Sequence, residues 1–176
     1  MSASVDVLLF EDRADQVTRI AEWLGLIPSQ YTFCPKFAQV TPTGRHPNDE
    51  AEQGWHWIES EIRRVNPKVV VLDYLLAKHL GNLSYDGLDY GKRCKELWVE
   101  LGVVLVTTGG DDDLAGHICR QTDLDKQRTG NQWPIDAAWI KPWGTAQATA
   151  SDTKVQVGLQ KLLRSSRSPS EHNPAS

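Results

Sequence analysis

Five side chains at the ends of apolar runs carry the groups needed to place a phosphoryl unit on a carboxylate. VDVLLF stops at Glu11-Asp12, KVVVL at Asp73, GVVLV at Thr107 and AAWI at Lys141-Pro142. In a doubly wound parallel sheet, ligands bind beyond the carboxyl ends of the strands. If the four runs are strands of one such sheet, an acid pair, a single carboxylate, a hydroxyl and an ammonium meet at one place. Each piece alone has a simpler reading. Asp73 would serve as a loop cap, and Glu11-Asp12 would complement a helix N-terminus. Their joint order, each at the end of an apolar run, carries the argument.

The elements between these positions alternate, which points to βαβ units and a parallel α/β sheet. Residues 5–10 form the first expected strand, and Val17, Ile20, Ala21 and Leu24 fall on one helical face stopped by Gly25 and Pro28. A weaker strand is expected over 31–40. Ala51, Trp55, Ile58, Ile62 and Val65 mark a helix with Asn48 as candidate cap and Asn66-Pro67 as stop. Residues 69–72 are apolar without alternation, as in a central strand covered on both faces. A helix follows from Asp86-Gly87, strands are expected over 103–106 and 137–140, and Val155, Leu159, Leu162 and Leu163 mark a last helix capped by Ser151 or Asp152.

The order of acid pair, Asp, Thr and Lys-Pro resembles the receiver domains of two-component response regulators, over roughly residues 5–164. The resemblance implies a flavodoxin-like, doubly wound, five-stranded parallel sheet of order 2-1-3-4-5. It also implies roles. Asp73 is the phosphoacceptor, Asp12 a direct Mg²⁺ ligand, Glu11 a ligand through water, and the Leu75 backbone carbonyl a further ligand. Asp73 itself also faces the metal. Thr107 and Lys141 would contact the phosphoryl oxygens, the lysine by means of its long stem. Pro142 matches the family's Lys-Pro peptide, usually cis. Neighbouring strands lie about 4.8 Å apart, so Asp12 and Asp73 would repel unless a cation sat between them. Mg²⁺, which favours carboxylate and phosphate oxygens, suits that place.

The chain departs from the family pattern in its long 41–53 segment, its extended loop after Asp73 and its enlarged 111–136 region. Thr108 stands where a small residue is common. The family's switching Tyr or Phe is replaced by Ala138, with Trp139 one place later, and an unbulged strand puts Trp139 on the side of Lys141.

The 176 residues and 40% hydrophobic content suit one globular domain, taken as 1–164, with a polar, disordered tail over 165–176. One helix and a tail after Pro142 leave no room for an output module, so a stand-alone receiver is expected. A net charge of −4 and a pI near 5.7 disfavour direct nucleic-acid binding. Neither a signal peptide nor a membrane span is read at the N-terminus. Cys34, Cys94 and Cys119, without a CxxC spacing, suit buried free thiols in a reducing cytoplasm. Asp111, Asp112 and Asp113 read as helix-start acids, and His46, His56 and His117 lack ligand spacing. Among the seven tryptophans, Trp55 and Trp57 cannot share a helical face.

The expected partners are a histidine kinase or phosphotransfer protein within a phosphorelay, an unidentified downstream protein, and a second copy of the chain through the last helix. Enzymatic activity would be at most self-phosphorylation and self-dephosphorylation at Asp73. The competing reading is a non-phosphorylated pseudo-receiver acting as a protein-binding adaptor. A phosphomonoester hydrolase ranks lowest, since no separate general base is evident.

Overall fold

The computed structural model describes residues 5–35, 47–74, 76, 86–108, 135–143 and 152–171, with the side chains of 47–51 left aside. Five parallel strands, β1 (Val7–Phe10), β2 (Tyr31–Phe33), β3 (Val69–Asp73), β4 (Gly102–Thr107) and β5 (Ala137–Ile140), form one sheet of order β2-β1-β3-β4-β5. Four described helices, α1 (Ala14–Trp23), α2 (Pro47–Val65), α3 (Gly87–Leu97) and α4 (Asp152–Ser165), cover its two faces.

The central strands are apolar without alternation because both faces are covered. Alternation survives in which layer each residue enters. Leu8, Phe10, Val70, Leu72, Val103 and Leu105 pack in a core with Ile58, Ile62, Tyr90 and Cys94 of α2 and α3. Val7, Leu9, Val69, Val71, Val104, Val106 and Trp139 pack in a second core with Val17, Ile20, Trp23, Val155 and Leu159 of α1 and α4. On the first face, Arg93 of α3 binds Glu52 of α2 at 2.7 Å and lies 4.7 Å over the Trp55 ring. Cys34 and Cys94 are buried and in no disulfide among the described residues, and burial pushes the Cys94 thiol far up. Cys119 lies outside the described residues, as do Asp111 to Asp113, His46 and His117.

The helix ends follow local chemistry. Gly25 takes φ 72°, and bonds from Gly25 N–H to the Glu22 carbonyl (3.0 Å) and from Leu26 N–H to the Ala21 carbonyl (2.9 Å) close α1 as a Schellman motif. Asp86 caps α3, its side chain accepting from Asp89 N–H at 3.0 Å while Asp89 accepts from Asp86 N–H at 3.1 Å. Asn48 is not the cap of α2, which already begins at Pro47. A proline without an N–H fits a first helical turn.

Two further expectations change. Among the described residues the second strand covers Tyr31–Phe33, at the sheet edge beside β1, and ends before Cys34; the expected part over 36–40 lies outside the described residues. The polar segment after Ser165 does not begin a disordered tail at that point. Arg167 N–H donates to the Glu100 carbonyl at 2.9 Å, and Ser168 is buried. The Asn66 amide, at a left-handed corner of φ 55°, donates to Ser168 Oγ (3.3 Å) and Ser170 Oγ (2.6 Å) and accepts from Ser170 N–H (2.9 Å). Hydrogen bonds to a fixed corner order this stretch where apolar burial would not. Residues 172–176 lie outside the described set. Among the described residues, no helix is long and apolar enough to cross a membrane.

Candidate functional site

Strand register brings the acidic residues together. Phe10 pairs with Leu72 across β1 and β3, and Asp73 pairs with Val106 across β3 and β4. Glu11, Asp73 and Lys141 each lie two residues beyond a member of the α1/α4 core, namely Leu9, Val71 and Trp139, so strand alternation turns all three to one side. Thr107 ends β4 in the parity of Leu105, which belongs to the opposite layer.

Lys141, just past β5, reaches two strand spacings to Asp73 after β3 and three to Glu11 after β1, and bonds both acids. Its ammonium lies 2.9 Å from Asp73 Oδ1 and 3.0 Å from Glu11 Oε2, with all three side chains buried. Its backbone N–H donates to the Thr107 carbonyl at 2.8 Å, which fixes the exit of β5 against β4. Glu11 Oε1 accepts from Arg13 N–H at 3.1 Å, tying the acid loop to the start of α1. Glu11, Asp12 and Asp73 each offer a carboxylate oxygen, and these oxygens lie within 4.8 Å of one another.

One ammonium among three acids leaves an excess of negative charge, and the protonation equilibria show it. Burial raises Glu11 to about 7, and a hydrogen bond with Asp12 favours the proton on Glu11. Burial also raises Asp12, with Asp73 adding repulsion against the hydrogen bond from Glu11. For Lys141, burial would lower the ammonium, but Asp73 and Glu11 beside it outweigh that and hold it up. A hard divalent cation among three convergent carboxylates would relieve the same repulsion that a proton relieves at Glu11. The donor set therefore fits Mg²⁺.

Gly87 is a site residue whose role the sequence reading did not find. A Cβ there would collide with the carbonyl oxygen of Asp73 and meet Leu105 Cδ1 at 2.9 Å. Its N–H donates to the Tyr74 carbonyl at 2.8 Å, so the first turn of α3 is laid directly against the peptide that follows β3. The signal was present as a glycine directly after a capping Asp.

No protein-family model and no curated protein matches the chain. Solved structures do. The receiver domain of NtrX from Brucella abortus superposes with a TM-score of 0.54 at 17% identity, covering 92% of this chain and 100% of that one. The signal receiver domain of an HD domain-containing protein from Pseudomonas fluorescens Pf-5 gives 0.51 at 16% identity, with 93% and 90% covered. The N-terminal signal receiver domain of a two-component response regulator from Bacteroides fragilis gives 0.51 at 20% identity, with 90% and 95% covered. The chain has the receiver-domain fold.

At these identities the likeness concerns architecture, and the receiver fold of this chain has features of its own. The Lys141–Pro142 peptide is not cis, since no cis peptide occurs among the described residues. Trans is the lower-energy isomer for an X-Pro bond in the absence of a local constraint. Ala138, at the place of the expected switching aromatic, packs toward the α2/α3 core, while Trp139 is buried in the α1/α4 core. Trp139 sits so close to α4 that a Cβ on Gly158 would come within 2.7 Å of its ring. Leu75, expected to supply a carbonyl ligand, lies outside the described residues.

Proposed function

We propose that this receiver accepts a phosphoryl group on Asp73 from a phosphohistidine donor, with Mg²⁺ held by Glu11, Asp12, Asp73 and the Leu75 carbonyl. The observation that carries the reading is one buried acceptor carboxylate with two further acids and an ammonium converging on it. In the transfer, the donor's N–P bond breaks as a bond forms from a carboxylate oxygen of Asp73 to phosphorus, and the freed imidazole takes a proton. Lys141 already lies 2.9 Å from Asp73 and stabilises negative charge developing beside it. Thr107, at the neighbouring strand end, is the proposed hydroxyl for a phosphoryl oxygen, although its strand parity is that of the opposite layer from Asp73 and Lys141. Bound Mg²⁺ would neutralise charge on the transferring group.

The partners under this reading are a histidine kinase or phosphotransfer protein upstream and a downstream protein that recognises the phosphorylated surface. Signalling runs through protein contact in the cytoplasm. A non-phosphorylated pseudo-receiver is the second reading, and the replacement of the switching aromatic by Ala138 favours it. Intact mass after incubation with acetyl phosphate and Mg²⁺ separates the two. The expected result is a single phosphoryl adduct in the wild type and none in Asp73→Asn. Equal labelling of that variant removes Asp73 as the acceptor, and an unmodified wild type favours the pseudo-receiver.

A further inference from the structure

Two residues beyond Lys141, Trp143 leaves the sheet and packs against α1. Its ring lies 4.4 Å beneath the guanidinium of Arg19 and 5.6 Å, edge to face, from the ring of Trp23. Arg19 and Trp23 are four residues apart and therefore neighbours on one helical face. The indole N–H groups of Trp23 and Trp143 are both buried with no acceptor among the described residues. Trp143 is thus held by ring packing and a cation–π contact.

These contacts close a ring through the site. Lys141 binds Glu11, Glu11 accepts from the N–H of Arg13 at the start of α1, and α1 presents Arg19 and Trp23 to Trp143. The short Pro142 link then returns to Lys141. The far end of the lysine's turn is anchored on the helix whose beginning carries the acids.

We propose that Trp143 and Arg19 are positioning residues for Lys141: their stacking on α1 holds the 141–143 turn so that the ammonium reaches Asp73 and Glu11 together. This goes beyond the phosphoacceptor assignment and rests on it only for the chemical consequence. The geometric claim stands on its own. Among the described residues, neither Trp143 nor Arg19 is hydrogen-bonded or ion-paired to Glu11, Asp12 or Asp73. Their effect on the site runs through Lys141.

The test measures amine acetylation by an N-hydroxysuccinimide ester, residue by residue, in the full chain. Lys141 is expected to label slowly in the wild type and on the order of tenfold faster in Trp143→Ala, the scale set by one aromatic and one cation–π contact. Arg19→Gln should give a smaller rise and Trp143→Phe a rate near the wild type. Lys95, held by Asp136 at 3.1 Å and by the Val99 and Leu101 carbonyls, is the control for general loosening and should not change. An unchanged Lys141 rate in Trp143→Ala, or a parallel rise at Lys141 and Lys95, overturns the proposal.

A second arm titrates beryllofluoride with saturating Mg²⁺. Trp143→Ala should weaken binding on the order of tenfold while Trp143→Phe restores it. Wild-type affinity in Trp143→Ala overturns the proposal. Failure of the wild type itself to bind overturns the phosphoacceptor reading instead, and the labelling arm still decides the positioning role.

Discussion

At Glu11 a proton and a divalent cation compete for one place. The folded-state value of about 7 lies above the ordinary 4.5, so in the metal-free protein the protonated carboxyl contributes stability below pH 4.5 that is lost as pH rises through 7. Mg²⁺ requires the ionised form, so its stabilising effect should grow over the same window. The increment in melting temperature produced by Mg²⁺ is expected to rise between about pH 5.5 and 8, and Glu11→Gln should flatten it. Equal increments at both ends would contradict the competition. Lys141 gives a companion prediction. Removing one member of a buried charge cluster typically costs about 3 kcal/mol, so Lys141→Met should lower unfolding stability by that order, with Mg²⁺ restoring part of the loss. Urea denaturation with and without Mg²⁺ measures both numbers. Glu11, Asp12, Asp73 and Lys141 were legible as a group because each ends an apolar run. The double bonding of Lys141 and the grip on Trp143 were not, since they depend on where a flexible stem and a ring settle in three dimensions.

Elements with long periodic patterns declared themselves, and those governed by edges or polar contacts did not. The face Val17, Ile20, Ala21 and Leu24 with Gly25 behind it describes α1 nearly to the residue, because burial and a left-handed glycine act locally. β2 ends at Phe33, before Cys34, because an edge strand lasts only as long as its one neighbour pairs with it, while 36–40 of the expected strand lie outside the described residues. The 166–171 stretch read as tail because composition registers apolar burial and is blind to a hydrogen-bonding corner. That corner is testable. Asn66→Gly keeps the positive φ and removes the bonds to Ser168 and Ser170, for a loss of about 1 kcal/mol. Asn66→Ala adds left-handed strain and should lose about 1 kcal/mol more. Equilibrium denaturation of both variants reads the difference. Identical losses would show that the conformation of Asn66 contributes nothing, and no loss in either would show that the segment is held elsewhere.

For the whole molecule, the parallel sheet sets the distance between its acids and leaves their repulsion to be relieved by whatever binds there. The sheet is stabilised by two apolar layers that do not need the site, so the fold can tolerate one unfavourable cluster at the carboxyl ends of its central strands. Ligand binding to the folded state alone adds about 2.7 kcal/mol at a hundredfold excess over Kd. For a domain of this length that corresponds to a rise in Tm of about 5–10 °C. Mg²⁺ should produce such a rise in the wild type, and Asp12→Ala should lose it. The variant's melting temperature without metal is a poorer guide, because deleting one of three crowded carboxylates relieves repulsion as it removes a ligand. The decisive quantity is the Mg²⁺-dependent increment. An equal increment in wild type and Asp12→Ala would place the cation away from Glu11, Asp12 and Asp73, and the convergence of these three residues would then be electrostatic strain carried by the fold without a metal to relieve it.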